Sequence, residues 1–389
     1  MTLPLERRCP LDPPEGLRQL REDRPITRLT YPGGHVGWLV TSYSAVRAML
    51  ADNRFSARKG LGRSPIHDMP SDPRMMEPGF FVTHDPPEHT RYRKVLTGEF
   101  TVRRMKDLVP RITEHTEQFL DEMLRQGPPA DLVQSIGLPV PSMVICELLG
   151  VPYDSRATFQ SSAAVLLNLG TTPEQYMAAM SELRELIADL VTRKRVEPGD
   201  DLISRLVAPG DLTDLEVLNI SYLLLLAGHE TTAHMLTLGT YALLTHPDQW
   251  AKLVESPELV DNAVEELMRY LSIAHIGPVR TALEDVVLEG HLIKAGESVT
   301  ASVPAANRDP LQFPDPDRLD VTRSASGHVG FGHGVHQCIG QQLARIEMRI
   351  VYTALLRKFP GLRLAVPAEE ITMRDDMVIY GLHRLPVAW

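Results

Sequence analysis

The chain of 389 residues is poor in several features that would each name a class of protein. It holds only three cysteines, Cys9, Cys146 and Cys338, too few and too scattered for a disulfide framework or a cysteine zinc site. They are expected to be free thiols in a reducing, cytoplasmic setting. There is no long hydrophobic run: the longest, YLLLLAG at Tyr222–Gly228, is far short of a membrane span. The start, MTLPLERRCPLDPPEG, has no apolar core, so no secretory signal is expected. Positive charge is not in excess. A formal net charge of −10 argues against a nucleic-acid partner. No internal repeat or low-complexity segment is present. No Gly-x-Gly-x-x-Gly follows a strand, so a flavin or nicotinamide domain is not expected.

What remains is an ordinary globular composition, 43% hydrophobic and 23% charged. PITRLTY and VGWLVT flank PGGH and read as two short strands around a turn. Ser42–Asp52 reads as a helix capped by Ser42. Residues 57–82, rich in Gly and Pro, read as a long loop, and a loop of that length is more often functional than not. From Pro87 helical patterning dominates. The segments around Gly170 form a helix pair, and Thr213–His246 reads as one helix of about 34 residues, roughly 50 Å, stopped by Pro247. A further helix follows the cap Ser256-Pro257. Alternating strand patterns return in VVLEGHLIKAGESVTAS and in the C-terminal stretch from Gly361. The expectation is a mainly α fold with a smaller β region, in a single domain over residues 1–389.

Cys338 lies where a Gly-rich turn (Gly330, Gly332, Gly334) runs into a helix expected from Ile339 to about Phe359. Helix N-terminal N–H groups and the helix dipole lower a thiol's pKa there. Three readings stay open on the residues alone. The thiol is a small hydrophobe at a helix start, a nucleophile with His336 or His333 as base, or an axial ligand to haem iron.

FGHGVHQCIG, Phe331–Gly340, resembles the Phe-x-x-Gly-x-x-x-Cys-x-Gly pattern of the cytochrome P450 haem-thiolate monooxygenases. The likeness runs from about residue 10 to Trp389 and includes three further motifs. AGHETT (Ala227–Thr232) is similar to the family's Ala-Gly-x-Asp/Glu-Thr-Thr, where a long helix crosses the oxygen-binding face of haem. Gly228 removes a side chain and locally weakens the helix, while Glu230 and Thr231 offer groups able to relay protons. Glu266 and Arg269 match the family's structural acid–Arg pair, with Arg318 of PDRL expected as the third member. HDPPEHTRYRKVL resembles Asp-Pro-Pro-x-His-x-x-x-Arg. The resemblance assigns the haem propionates to His89, Arg93, Arg280 and His328, with His336 as a weaker fifth. Cofactor contacts are also implied for Ala227, Gly228, Phe331, Gly332 and Gly340, with Cys338 on the iron.

The resemblance implies a single-domain P450 fold, haem b, O2 as co-substrate, and hydroxylation or epoxidation of a bulky hydrophobic small molecule. Macrolide, polyketide or terpenoid-like secondary metabolites are the first expectation; a xenobiotic, steroid or fatty acid is the alternative. Electrons are expected from a ferredoxin and its reductase, whose acidic surface would meet Arg103, Arg104, Arg345 or Arg349. A monomer is expected, with no membrane partner. Two other classes stay open: a haem-thiolate binding or sensor protein, and a peroxide-driven peroxygenase.

Overall fold

The computed structural model describes residues 1–66 and 72–389, so positions 67–71 of the expected loop lie outside the described residues. The chain forms two compact units, each assembled from separated stretches. One comprises Met1–Met76, Phe81–Leu96 and Asp261–Gln341; the other comprises Glu77–Phe80, Thr97–Val260 and Gln342–Trp389.

The first unit carries a five-stranded sheet in the order Ile26–Thr30, Val36–Val40, Ser298–Ala301, Val279–Ala282, Phe55–Ser56. The first two strands are the hairpin the sequence predicts, with Ile26 opposite Val40 and Thr30 opposite Val36. The second then runs parallel to Ser298–Ala301, with Trp38 opposite Val299. Ser42 caps the helix Tyr43–Ala51 by accepting from the Ala45 N–H. That helix lays Val46 and Met49 against Trp38, Val40, Phe55, Val299, Phe313 and Val329 in one buried cluster. Burial of each large side chain stabilises by roughly 1.5–3 kcal/mol.

The same unit buries Glu266 and Arg269, on the helix Val260–Leu271, at 0% exposure each. Arg269 donates to both carboxylate oxygens, at 2.7 and 2.8 Å. The third member of the group is Arg323, whose Nε lies 3.2 Å from Glu266 Oε1. The expectation for Arg318 is therefore corrected: its side chain is exposed beside Asp320, and only its carbonyl reaches Arg269. The Asp320 N–H adds a fourth donor to the carboxylate, at 3.0 Å. Full pairing of this kind is what makes a buried charge tolerable.

The second unit is built on a helix of 31 residues, Asp214–Leu244. Thr213 and Glu216 close a capping box at its start. Helices Pro139–Leu149 and Pro173–Val196 pack against it. The helix ends at Thr245, and Pro247 opens the next helix as its first residue. The stop expected at Pro247 is thus a start, since proline suits the first helical turn, where no N–H is needed. Ser256 likewise makes no side-chain cap; a short 3-10 turn, Pro257–Leu259, intervenes. Tyr352, on the helix Gln341–Lys358, donates to the carbonyls of Met235 and Leu236 at 3.2 Å. The C-terminal strand Pro386–Ala388 lies between Ala130–Asp131 and Arg363–Leu364, a pairing across distant sequence.

Glu77–Phe80 belongs to this helical unit although its flanks belong to the other. Arg184 binds Asn219 Oδ1 at 2.7 Å and Glu77 Oε2 at 2.9 Å, and Asn219 Nδ2 donates to the Pro78 carbonyl at 2.9 Å. Gly79 has φ +98°, and a Cβ there would lie 2.6 Å from the Glu216 carbonyl oxygen. Among the described residues, no helix is long and apolar enough to cross a membrane.

Candidate functional site

Cys338 is exposed and stands three residues before the start of its helix, which begins at Gln341 and not at Ile339. Its N–H donates to the Phe331 carbonyl at 2.9 Å, closing the Gly-rich segment into a compact loop. Gly334 is dictated by this fold: its φ is +73°, and a Cβ would meet the Leu50 carbonyl oxygen at 2.3 Å. Gly332, at φ +71°, has open space around it. At Gly340 a Cβ would sit 4.0 Å from Cys338 Sγ, an ordinary contact.

Four basic side chains from three separated stretches converge in the same unit. His89 is buried at 2% exposure, and neither of its ring nitrogens has a hydrogen-bond partner. Its ring centroid lies 4.1 Å from that of His336. Arg93, half-buried, donates to the Gln337 carbonyl at 2.9 Å, and the Cys338 charge acts on it favourably. Arg280 donates to the Val279 carbonyl at 2.9 Å. Burial first, and then the charge of Arg93, push His89 down to about 4, with Asp85 opposing. Burial, then Arg280, His89 and Arg93, push His336 down to about 3. Burial lowers Arg93 and Arg280 as well. A set of desolvated donors beside one acid, Asp85, is suited to an anionic guest.

His328 is placed differently. Its Nδ1 accepts from the Gly330 N–H at 3.0 Å, which puts the proton on Nε2, 3.1 Å from Glu265 Oε2. Both ring nitrogens are thereby engaged by this protein's own groups, and His328 stands as a brace of the Gly-rich loop.

The second constellation lies on the long helix of the other unit. Between Asn219 and Leu243 every residue is buried except Leu223, Leu226, Ala227, Gly228 and Thr231. Leu223, Leu226, Ala227 and Thr231 fall on one stripe at helical spacing, and Gly228 lies off it, toward Ile145. Thr231 Oγ1 donates back to the Ala227 carbonyl at 2.8 Å. The helix runs unbroken through Gly228, where a Cβ would lie 2.7 Å from Ile145 Cδ1, so the missing side chain lets Ile145 pack close. Glu230, 3% exposed, does not bond to Thr231. Its Oε2 accepts from His234 Nε2 at 3.0 Å and from Arg374 Nη1 at 3.3 Å, and its Oε1 lies 3.9 Å from His229 Nε2. Burial alone would raise the Glu230 carboxyl; the His234 hydrogen bond and the charges of His234, His229 and Arg374 outweigh it and hold the group at about 2.

Sequence reasoning missed His234, Arg374 and Arg323. His234 carried a readable signal, since it lies four residues after Glu230 on one helix face. Arg374 carried none, being 144 residues away in a segment read only as strand.

The residues fit haem. Two partly buried arginines and two close imidazoles, one with both nitrogens unsatisfied, suit a group bearing two carboxylates, and an exposed thiol on a tight loop beside Arg93 suits an iron ligand.

Comparison with known proteins bears on the same point. The family model "Cytochrome P450" matches residues 162–377. Cytochrome P450 105C1 of Streptomyces sp is 49% identical over 97% of this chain and 95% of its own length. Pentalenic acid synthase of Streptomyces avermitilis is 44% identical over 100% of this chain and 97% of its own. The crystal structure of CYP105P1 in complex with filipin I superposes with a TM-score of 0.94 at 46% identity, covering 100% of this chain and 98% of that one. With the thiol loop, the basic cluster and full-length likeness together, the chain belongs to the cytochrome P450 family and is a haem- and O2-dependent monooxygenase.

Proposed function

We propose that this protein hydroxylates or epoxidises a bulky hydrophobic secondary metabolite, of macrolide or terpenoid type, using haem b held by Cys338 and electrons from a ferredoxin and its reductase. The observation that carries the reading is the basic cluster beside the thiol: His89 buried with both nitrogens unsatisfied, against His336 and near Arg93 and Arg280. His89, Arg93, Arg280 and His336 hold the propionates, and Cys338 binds iron as thiolate. When bound, haem supplies O2 activation, which thiolate ligation favours by pushing electron density toward O–O cleavage. The stripe of Leu223, Leu226, Ala227 and Thr231 offers apolar surface and one hydroxyl on the long helix. Glu230 sets the charge of that stretch of helix. The substrate class draws support from two relatives, named for pentalenic acid synthesis and for a filipin complex.

The test is optical. The reduced carbonyl complex should show the strongly red-shifted Soret band of thiolate ligation. A panel of macrolides, sesquiterpenoids and short fatty acids should give low-to-high-spin conversion with the first two. A spin change with short fatty acids alone would sink the substrate assignment.

A further inference from the structure

We propose that His234 and Arg374 are positioning residues for this reaction, holding the Glu230 carboxylate as a fixed anion on the long helix, so that it acts as a placed charge and acceptor and does not swing toward Thr231 as a carboxylic acid. The inference rests on the oxygenase reading for its role, but its structural content stands separately.

The carboxylate is enclosed by buried basic side chains. His234 Nε2 and Arg374 Nη1 converge on the same oxygen, Glu230 Oε2, and also abut one another. The other oxygen lies 3.9 Å from His229 Nε2, and His229 Nδ1 donates to the Leu225 carbonyl at 2.7 Å. All four side chains are buried: Glu230 at 3%, His234 at 0%, His229 at 1% and Arg374 at 7%. Phe159 walls the His229 ring, with centroids 5.1 Å apart. Gly381 walls the His234 ring: a Cβ there would fall 2.6 Å from His234 Nδ1. Arg374 is held by its own N–H, which donates to the Gly381 carbonyl at 2.9 Å. The neighbouring acids do not compete for it, since Asp375 and Asp376 are exposed and Asp376 pairs with His383 at 2.9 Å. Thr231, meanwhile, is bonded to Ala227.

A carboxyl group donates a proton only after taking one up, and uptake here would break two charge-assisted hydrogen bonds in a buried site. With Glu230 at about 2, below the ordinary value near 4.3, its stabilisation is present above the ordinary value and lost only as pH falls toward 2. It is therefore constant from about pH 5 to 8. Removing either base leaves a carboxylate buried with too few partners, whose affinity for a proton rises. The stability deficit of an Arg374 variant must then grow as pH rises through that window.

The experiment uses haem-loaded protein with a normal reduced-carbonyl Soret band. His234→Leu and Arg374→Met are made alone and with Glu230→Gln, and unfolding midpoints are followed from pH 5 to 8. Arg374→Met should lose stability relative to wild type progressively with rising pH, and Glu230→Gln should abolish that trend; His234→Leu is read by its peroxide yield alone, because burial lowers His234 itself and removing it changes the pH profile whatever Glu230 does. A deficit independent of pH, or one whose pH trend persists in the Glu230→Gln background, overturns the proposal. The catalytic arm measures peroxide released per NADPH oxidised, with a plant-type ferredoxin pair and any panel compound that converts the spin state. Peroxide should rise several-fold in His234→Leu and Arg374→Met and return partly in Arg374→Lys; wild-type coupling in both variants overturns the positioning role. If no panel compound converts the spin state, the substrate reading has failed, while the pH–stability result still decides this one.

Discussion

The two constellations are electrostatic opposites. Around the thiol, four basic groups crowd together with one nearby acid, and burial drives them toward neutrality. On the long helix, one carboxylate is surrounded by two histidines and an arginine and is driven toward its charged form. The first arrangement leaves both nitrogens of a buried imidazole without a partner and would suit an anionic guest. The second is built around an acid of the chain itself: His234 Nε2 and Arg374 Nη1 reach the Glu230 carboxylate, while His229 Nε2, His234 Nδ1 and Arg374 Nε stay unpaired. The two clusters differ in whether the chain itself places a carboxylate among its bases.

Breaking each side should give effects of different size and kind. Cys338→Ser should abolish the red-shifted Soret band of the reduced carbonyl complex and all oxygenation; survival of the band would remove Cys338 from the iron. Glu266→Gln, which strips a fully buried ion pair of its acid, should cost about 3–5 kcal/mol in chemical denaturation, the penalty of stranding Arg269 and Arg323. Gly334→Ala should cost about 1–3 kcal/mol through backbone strain, and its displacement of Leu50 should lower haem retention. Apoprotein should lose stability as pH falls from about 6.5 to about 4, because His89 protonates more readily unfolded than folded. Haem-loaded protein should lose less over that range, and apo His89→Phe should show a flatter profile; equal slopes in the two forms would dissolve the contrast drawn above. Thr213→Ala, at the far end of the long helix from Glu230, should cost about 1 kcal/mol through the lost cap and leave every spectrum unchanged.

Local signals in the sequence translated well into local structure. The Ser42 cap, the hairpin around PGGH and the extent of the long helix all follow from neighbours within a few residues. Long-range pairings did not. The parallel match of Val36–Val40 with Ser298–Ala301, and the seating of Pro386–Ala388 beside Ala130–Asp131, have no local signature. The same divide runs through the sites. Motif residues from three stretches converge as the basic cluster because each motif is read as a unit. Arg323 displaced Arg318 beside Glu266, five positions on, because the turn after Pro316 decides which guanidinium turns inward. Likewise Glu230 was legible as a buried acid of interest, whereas Arg374 is brought to it only by the tertiary fold.

The clip at Glu77–Phe80 has a consequence for how this protein can vary. It fixes the chain at Glu77 and Pro78 through Arg184 and Asn219, whatever stands before it in the sequence. Closing a flexible loop costs only about 0.6 kcal/mol more for each doubling of its length. A change of length at Gly60, which has open space around it, should therefore cost little, whereas Ser56 and Ala57, held by Asp85, and Met75, whose carbonyl accepts from Thr83 Oγ1, must stay in register. Variation is thereby confined to the span between held points.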